Sequence, residues 1–128
     1  MTADTRADDG HVPSLGSLRA DLATAMVQLN REIYGRGPTR ARVSMAEDIV
    51  VVVLEDALTA VEQALLAEGE GRMVGRIRER TGAIKRRPFV AAVERITGRT
   101  VRAFVTGFNV DPPTIIDTFV LGPPGDGR

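Results

Sequence analysis

The chain has 128 residues, 43% of them hydrophobic, and 17 acids balance 17 bases, which is the size and mix of one globular domain able to bury its own core. It has no cysteine and a single histidine, His11. That composition excludes disulfide staples, thiolate zinc sites, cysteine nucleophiles and a serine–histidine arrangement in the folded part. Aromatic residues are only 4%, so the core must be built from Val, Ile, Leu and Ala.

Residues 1–13 are small, polar and acid-rich and are expected to be disordered; His11 reads there as a solvated leader residue. No signal peptide is visible, because MTADTRADDG is acidic and no apolar stretch follows it. The longest continuous apolar run is Ile49 to Leu54, far short of the roughly 20 residues a membrane-spanning helix needs. The expected location is the cytoplasm, with any membrane association peripheral.

Leu15, Leu18, Leu22, Met26, Leu29 and Ile33 recur at steps of three and four, the stripe of an amphipathic helix. Ser14 or Ser17 caps its start, Gly35 ends it and Pro38 prevents its resumption. Residues 40–45 then begin a strand, Ala46–Asp48 form a polar turn, and the β-branched run Ile49–Leu54 returns as a strand suited to the middle of a sheet. Thr59-Ala60-Val61-Glu62 has the spacing of a capping box and predicts a short helix over 60–67 with Val61 and Leu65 inward.

A long helical stretch follows from Arg72 to Thr97. Met73, Ile77 and Ile84 mark its apolar face, Val93 and Ile96 continue it, and Pro88 predicts a kink or break. The last pair of strands is Thr100–Phe108 and Thr114–Leu121, joined at Asp111-Pro112-Pro113. Residues 122–128 form a flexible tail, which leaves one domain over 14–121. The fold class is α+β: a four-stranded antiparallel sheet made of two β-hairpins, with helices on one face, in the order α-ββ-α-α-ββ. Apolar residues on both faces of the hairpins predict a homodimer.

The charges are sorted along the chain. From Val43 to Gly71 there are seven acids and no base, and from Arg72 to Arg102 ten bases and two acids. Such a split steers an anionic partner, or holds the chain's own halves or two copies together. Gly35-Arg36-Gly37-Pro38 reads as a helix stop with a tight turn, or as a nest of amides for an anion beside Arg36. Gly69-Glu70-Gly71 fails as a dinucleotide fingerprint, being misspaced and between helices. The acid pair Glu47-Asp48 sits in a turn and Glu55-Asp56 in a strand-to-helix loop, where solvated carboxylates are far commoner than a catalytic dyad.

No catalytic, cofactor-binding or metal-binding residue is expected, and the chain is read as a non-enzyme that binds a partner. The contact candidates are Arg76, Arg80, Lys85, Arg86 and Arg87 on the long helix, with Arg36 second. The alternative is a nucleic-acid-binding regulator using the basic helix 72–87, although only Phe89 lies close enough to stack.

Five short motifs occur in order: Gly35-Arg36-Gly37-Pro38 after the first helix, Leu58-Thr59-x-x-Glu62, Glu70-Gly71-Arg72, Thr97-Gly98-Arg99-x-Val101 and Thr118-Phe119-x-Leu121. Together they resemble the MpsC family across residues 14–121. The resemblance implies association with a bacterial sodium-translocating, membrane-potential-generating system linked to inorganic-carbon uptake, with this chain as a small accessory at a membrane-associated complex. It carries over no catalytic residue. Asn109 departs from the family pattern, which has an acid before the last turn.

Overall fold

The structure is a computed structural model and describes residues 14–38 and 40–125. The expected disordered leader, His11 and the last part of the tail lie outside the described residues. Chain order is α1 (Leu15–Tyr34), β1 (Arg40–Ala46), β2 (Ile49–Glu55), α2 (Ala60–Ala67), α3 (Gly71–Thr97), β3 (Val101–Asn109) and β4 (Thr114–Leu121). This is the α+β order read from the sequence. The strands form one four-stranded antiparallel sheet in the order β1-β2-β4-β3. The two most β-branched strands therefore pair with each other at its centre, Val50 opposite Phe119 and Val53 opposite Ile116.

Helix α1 starts where the Ser14 hydroxyl accepts from the Ser17 N–H at 3.0 Å. It ends at Gly35, whose φ of 75° is the left-handed conformation that lets its N–H close on the Arg31 carbonyl. Leu22 and Met26 are buried, while Leu15 at the helix start is 57% exposed. Helices α1 and α3 lie on one face of the sheet and enclose a core of Leu22, Met26, Val50, Leu54, Phe89, Val93, Phe104 and Phe119. Phe104 and Phe119 stack with ring centroids 4.9 Å apart, so three of the four phenylalanines fill the space between α3 and the sheet.

Of the kink or break expected at Pro88, the structure has no break: helix α3 is a single 27-residue helix with Pro88 inside it. Proline removes one amide, leaving the carbonyl of Ile84 without its helical donor; that turn faces water, Ile84 being 60% exposed, and buried Lys85 and Phe89 on the other side hold the helix in place. One expectation is corrected: in the first half of α3 the inward face is not the one Met73 and Ile84 marked, whereas Val93 is buried and Ile96 packs against the core as expected. Met73 and Ile84 are exposed, and the buried residues are Val74, Arg78, Gly82, Lys85, Phe89, Ala92 and Val93. Helix α2 repeats the pattern: Val61 is 68% exposed and Glu62 is the buried residue.

Gly82 lets α3 come down on β3, since a Cβ there would stand 3.0 Å from Cγ2 of Thr106. The tail is tied at its first residue: the Gly122 N–H donates to the Thr100 carbonyl at 2.7 Å. Removing the ring that closes the aromatic stack, by Phe119→Ala, should cost about 3–5 kcal/mol, read as a drop in the urea midpoint at unchanged slope.

Candidate functional site

Helix α3 carries two kinds of charge. On its inner face Arg78 and Lys85, seven residues apart, point into the protein. The Arg78 guanidinium donates through Nε and Nη2 to the two Glu62 carboxylate oxygens at 2.7 and 2.6 Å, and through Nη2 to the Ala57 carbonyl at 3.1 Å. It lies 4.0 Å over the Tyr34 ring, and its Nη1 has no hydrogen-bond partner among the described residues. The Tyr34 hydroxyl is 2.8 Å from the Thr81 hydroxyl, which ties α1 to α3. The fork-on-carboxylate geometry is the strong form of an ion pair.

Glu62 also completes the expected capping box, accepting from the Thr59 N–H at 2.9 Å while Thr59 accepts from the Glu62 N–H. Burial by itself pushes the Glu62 carboxyl up; the Arg78 and Thr59 hydrogen bonds outweigh it, so the pKa settles below the ordinary 4.5. The second inner cation, Lys85, is 1% exposed and donates to both Asp117 oxygens at 3.0 Å. Burial holds its pKa below 10.5, against the pull of Asp117.

The outer face is different. Arg72, Arg76, Arg80 and Arg87 fall within a quadrant of the helix opposite the core, because steps of four and seven residues return to one side. All four are exposed, and none forms an ion pair among the described residues. Exposed Met73 and Ile84 border them. Arg86 stands at the edge of this face, its Nη2 donating to the Phe104 carbonyl at 3.3 Å.

The sorted charges thus resolve in two ways. Two pairs join the acidic and basic segments, Glu62 with Arg78 and Asp48 with Arg99. The outer arginines of α3 stay uncompensated. Of the contact candidates, Arg76, Arg80 and Arg87 share the outer face and Arg86 flanks it. Lys85 is removed from the surface because it neutralises Asp117 in the interior. Arg36 is engaged internally as well, donating to the carbonyls of Asp56 and Leu58 at 2.8 and 2.7 Å. The Gly35–Pro38 segment is accordingly a helix stop whose arginine clamps the β2–α2 loop. Phe89, the aromatic that the sequence offered beside the basic helix, is 0% exposed and offers no face for a base to stack on.

These features define an antiparallel-sheet domain covered on one face by helices, with a basic, partly apolar helix surface turned to solvent. The family model described as "Na+-translocating membrane potential-generating system (MpsC)" matches residues 14–122, and the chain belongs to the MpsC family. No curated protein and no solved structure matches it. Among the described residues no helix is long and apolar enough to cross a membrane, and no group of acids or histidine is placed to hold a metal ion.

The motifs behind the family resemblance are chiefly structural. Arg99 donates to the Gly122 carbonyl and to the Asp48 carboxylate, both at 2.6 Å, and so joins the start of β3 to the end of β4 and the β1–β2 turn. Asn109 donates through Nδ2 to the Pro112 carbonyl at 2.9 Å, closing the last turn where an acid has no hydrogen to give.

Asp117→Ala strips Lys85 of its counter-charge and should cost about 3–5 kcal/mol, while Lys85→Met with Asp117→Leu should recover most of it; chemical denaturation of both variants checks this. The Glu62 pair sets an acid limit. Its folded pKa is lowered, so its stabilisation is complete above pH 4.5 and disappears as pH falls through the folded value. Glu62→Gln should flatten the stability-versus-pH curve in that window.

Proposed function

We propose that this chain is a non-catalytic accessory of a Na+-translocating system, working in the cytoplasm at the membrane as a homodimer that binds a membrane-associated partner. The observation that carries this reading is the uncompensated outer face of α3. Arginines pay the desolvation cost of an interface better than lysines, because their planar forks match carboxylates and their charge is weakly hydrated. Arg76, Arg80 and Arg87 beside exposed Met73 and Ile84 therefore fit a partner surface that is acidic with apolar contacts. Family membership supplies the setting.

The dimer reading rests on the sheet face away from the helices. Ile49, Val51 and Val53 of β2, Ile116 and Val120 of β4, and Val105 of β3 alternate with the buried set and share that face. Ile49, Ile116 and Val105 are 44%, 41% and 65% exposed. At its margin Arg42 pairs with Glu55 at 2.7 Å, so the middle of the face is left largely apolar and suited to an isologous contact.

Arg76→Glu with Arg80→Glu should leave the fold intact and reduce recruitment to membranes carrying the Na+-translocating complex by roughly tenfold or more, measured by co-sedimentation. Unchanged recruitment overturns the docking reading. Ile116→Asp with Val105→Asp should convert a dimer to a monomer in sedimentation velocity, with circular dichroism confirming the fold.

A further inference from the structure

A groove of about 410 Å3 runs between the second half of α3 and the free edge of β3. Its lining includes apolar Val90 and Ala91, with Ala103 at the strand edge, and the arginines Arg86, Arg87 and Arg102. Strand β3 is the last strand of the sheet, so alternate residues turn their N–H and C=O groups away from β4 into the groove. Two of these groups are already met by side chains. The Phe104 carbonyl accepts from Arg86 at 3.3 Å, and the Val101 N–H donates to Glu94 at 2.9 Å. The Arg86 contact is long for a charged donor and stands where the amide of a neighbouring strand would be. Glu94 closes the other end, so pairing would begin beyond Val101.

We infer that this groove is a strand-addition site for an extended acidic segment of a partner protein. The inference rests on the partner-binding reading and names the part of the partner that binds. Three observations favour this occupant. An edge strand beside a helix gives an added strand its backbone partners on one side and a wall for its side chains on the other. The apolar part of the lining takes small or branched side chains at alternate positions. Three arginines face one groove glutamate, Glu94, whose carboxylate is already engaged, so acidic side chains between the apolar ones are drawn in and basic ones repelled.

The test uses the full chain and a fluorescein-labelled decapeptide of alternating Val and Glu, with anisotropy read in low-salt buffer. Three controls accompany it: the same residues in two blocks, Lys in place of Glu, and a peptide N-methylated at every second amide. The alternating acidic peptide should bind, and all three controls should bind at least about tenfold more weakly. Arg87→Glu with Arg102→Glu should weaken binding by a similar factor, whereas Arg76→Glu with Arg80→Glu should leave it within about twofold. The amides of Arg102 and Phe104 should gain protection from hydrogen exchange when the peptide is bound. No binding, equal binding of the N-methylated or block peptides, or indifference to the Arg87/Arg102 exchange each overturns the strand-addition site. If the peptide fails while the Arg76/Arg80 variant still loses membrane recruitment, the groove falls and the docking face stands. If recruitment is unaffected while the peptide binds as described, the docking face falls instead.

Discussion

The burial of two cations from one helix is the constraint on which the rest of this structure depends. Arg78 and Lys85 sit two turns apart on the inner side of α3, and each must meet a carboxylate from elsewhere in the chain. Glu62 comes from α2 and Asp117 from the centre of β4. Satisfying both fixes where α2 lies, how far α3 slides along the sheet and which β4 residue stands beneath it. A slip of one residue in β4 would turn Asp117 to the open face and leave Lys85 charged and alone. The ion pairs therefore act on register and placement more than on net stability, where an apolar replacement serves as well.

Because α3 spends its inner charges on the fold, its outer charges are left for other work. The same helix is a core element on one side and an uncompensated basic surface on the other. Along its second half it also forms one wall of the groove beside β3. The exposed basic surface, one wall of the groove and part of the core are three sides of a single 27-residue helix. The open sheet face, rich in β-branched residues, lies on the side of the sheet away from the helices.

The elements were legible from the sequence because their signals are local. Apolar steps of three and four drew α1, the β-branched run drew β2, and Thr59 with Glu62 drew the start of α2 from hydrogen bonds made within one turn. The inward side of α3 was legible at Val93 and Ile96 and not before them. Its stripe of Val74, Arg78, Gly82, Lys85 and Phe89 contains two full charges and a glycine, and a reading by hydrophobicity passes over it to Met73, Ile77 and Ile84. Val61 misled for the same reason, since the residue that turns inward on α2 is Glu62. A lysine or arginine is buried only when an acid distant in sequence is brought to it, here 32 residues away for Lys85 and 16 for Arg78. Nothing at the lysine itself announces that meeting.

The contact candidates divide along the same line. Sequence alone determined that this region is basic, that cysteine chemistry is excluded, and that two hairpins and three helices follow in a fixed order among the described residues. Each of those follows from residue type or short-range spacing. Only the tertiary structure decided which bases face water: Lys85 inside against Asp117, Arg36 clamped across the β2–α2 loop, Arg76, Arg80 and Arg87 outside. The physical reason is that exposure belongs to the packed arrangement of distant segments, and a charge has the same sequence signature whether it is solvated or paired in the core.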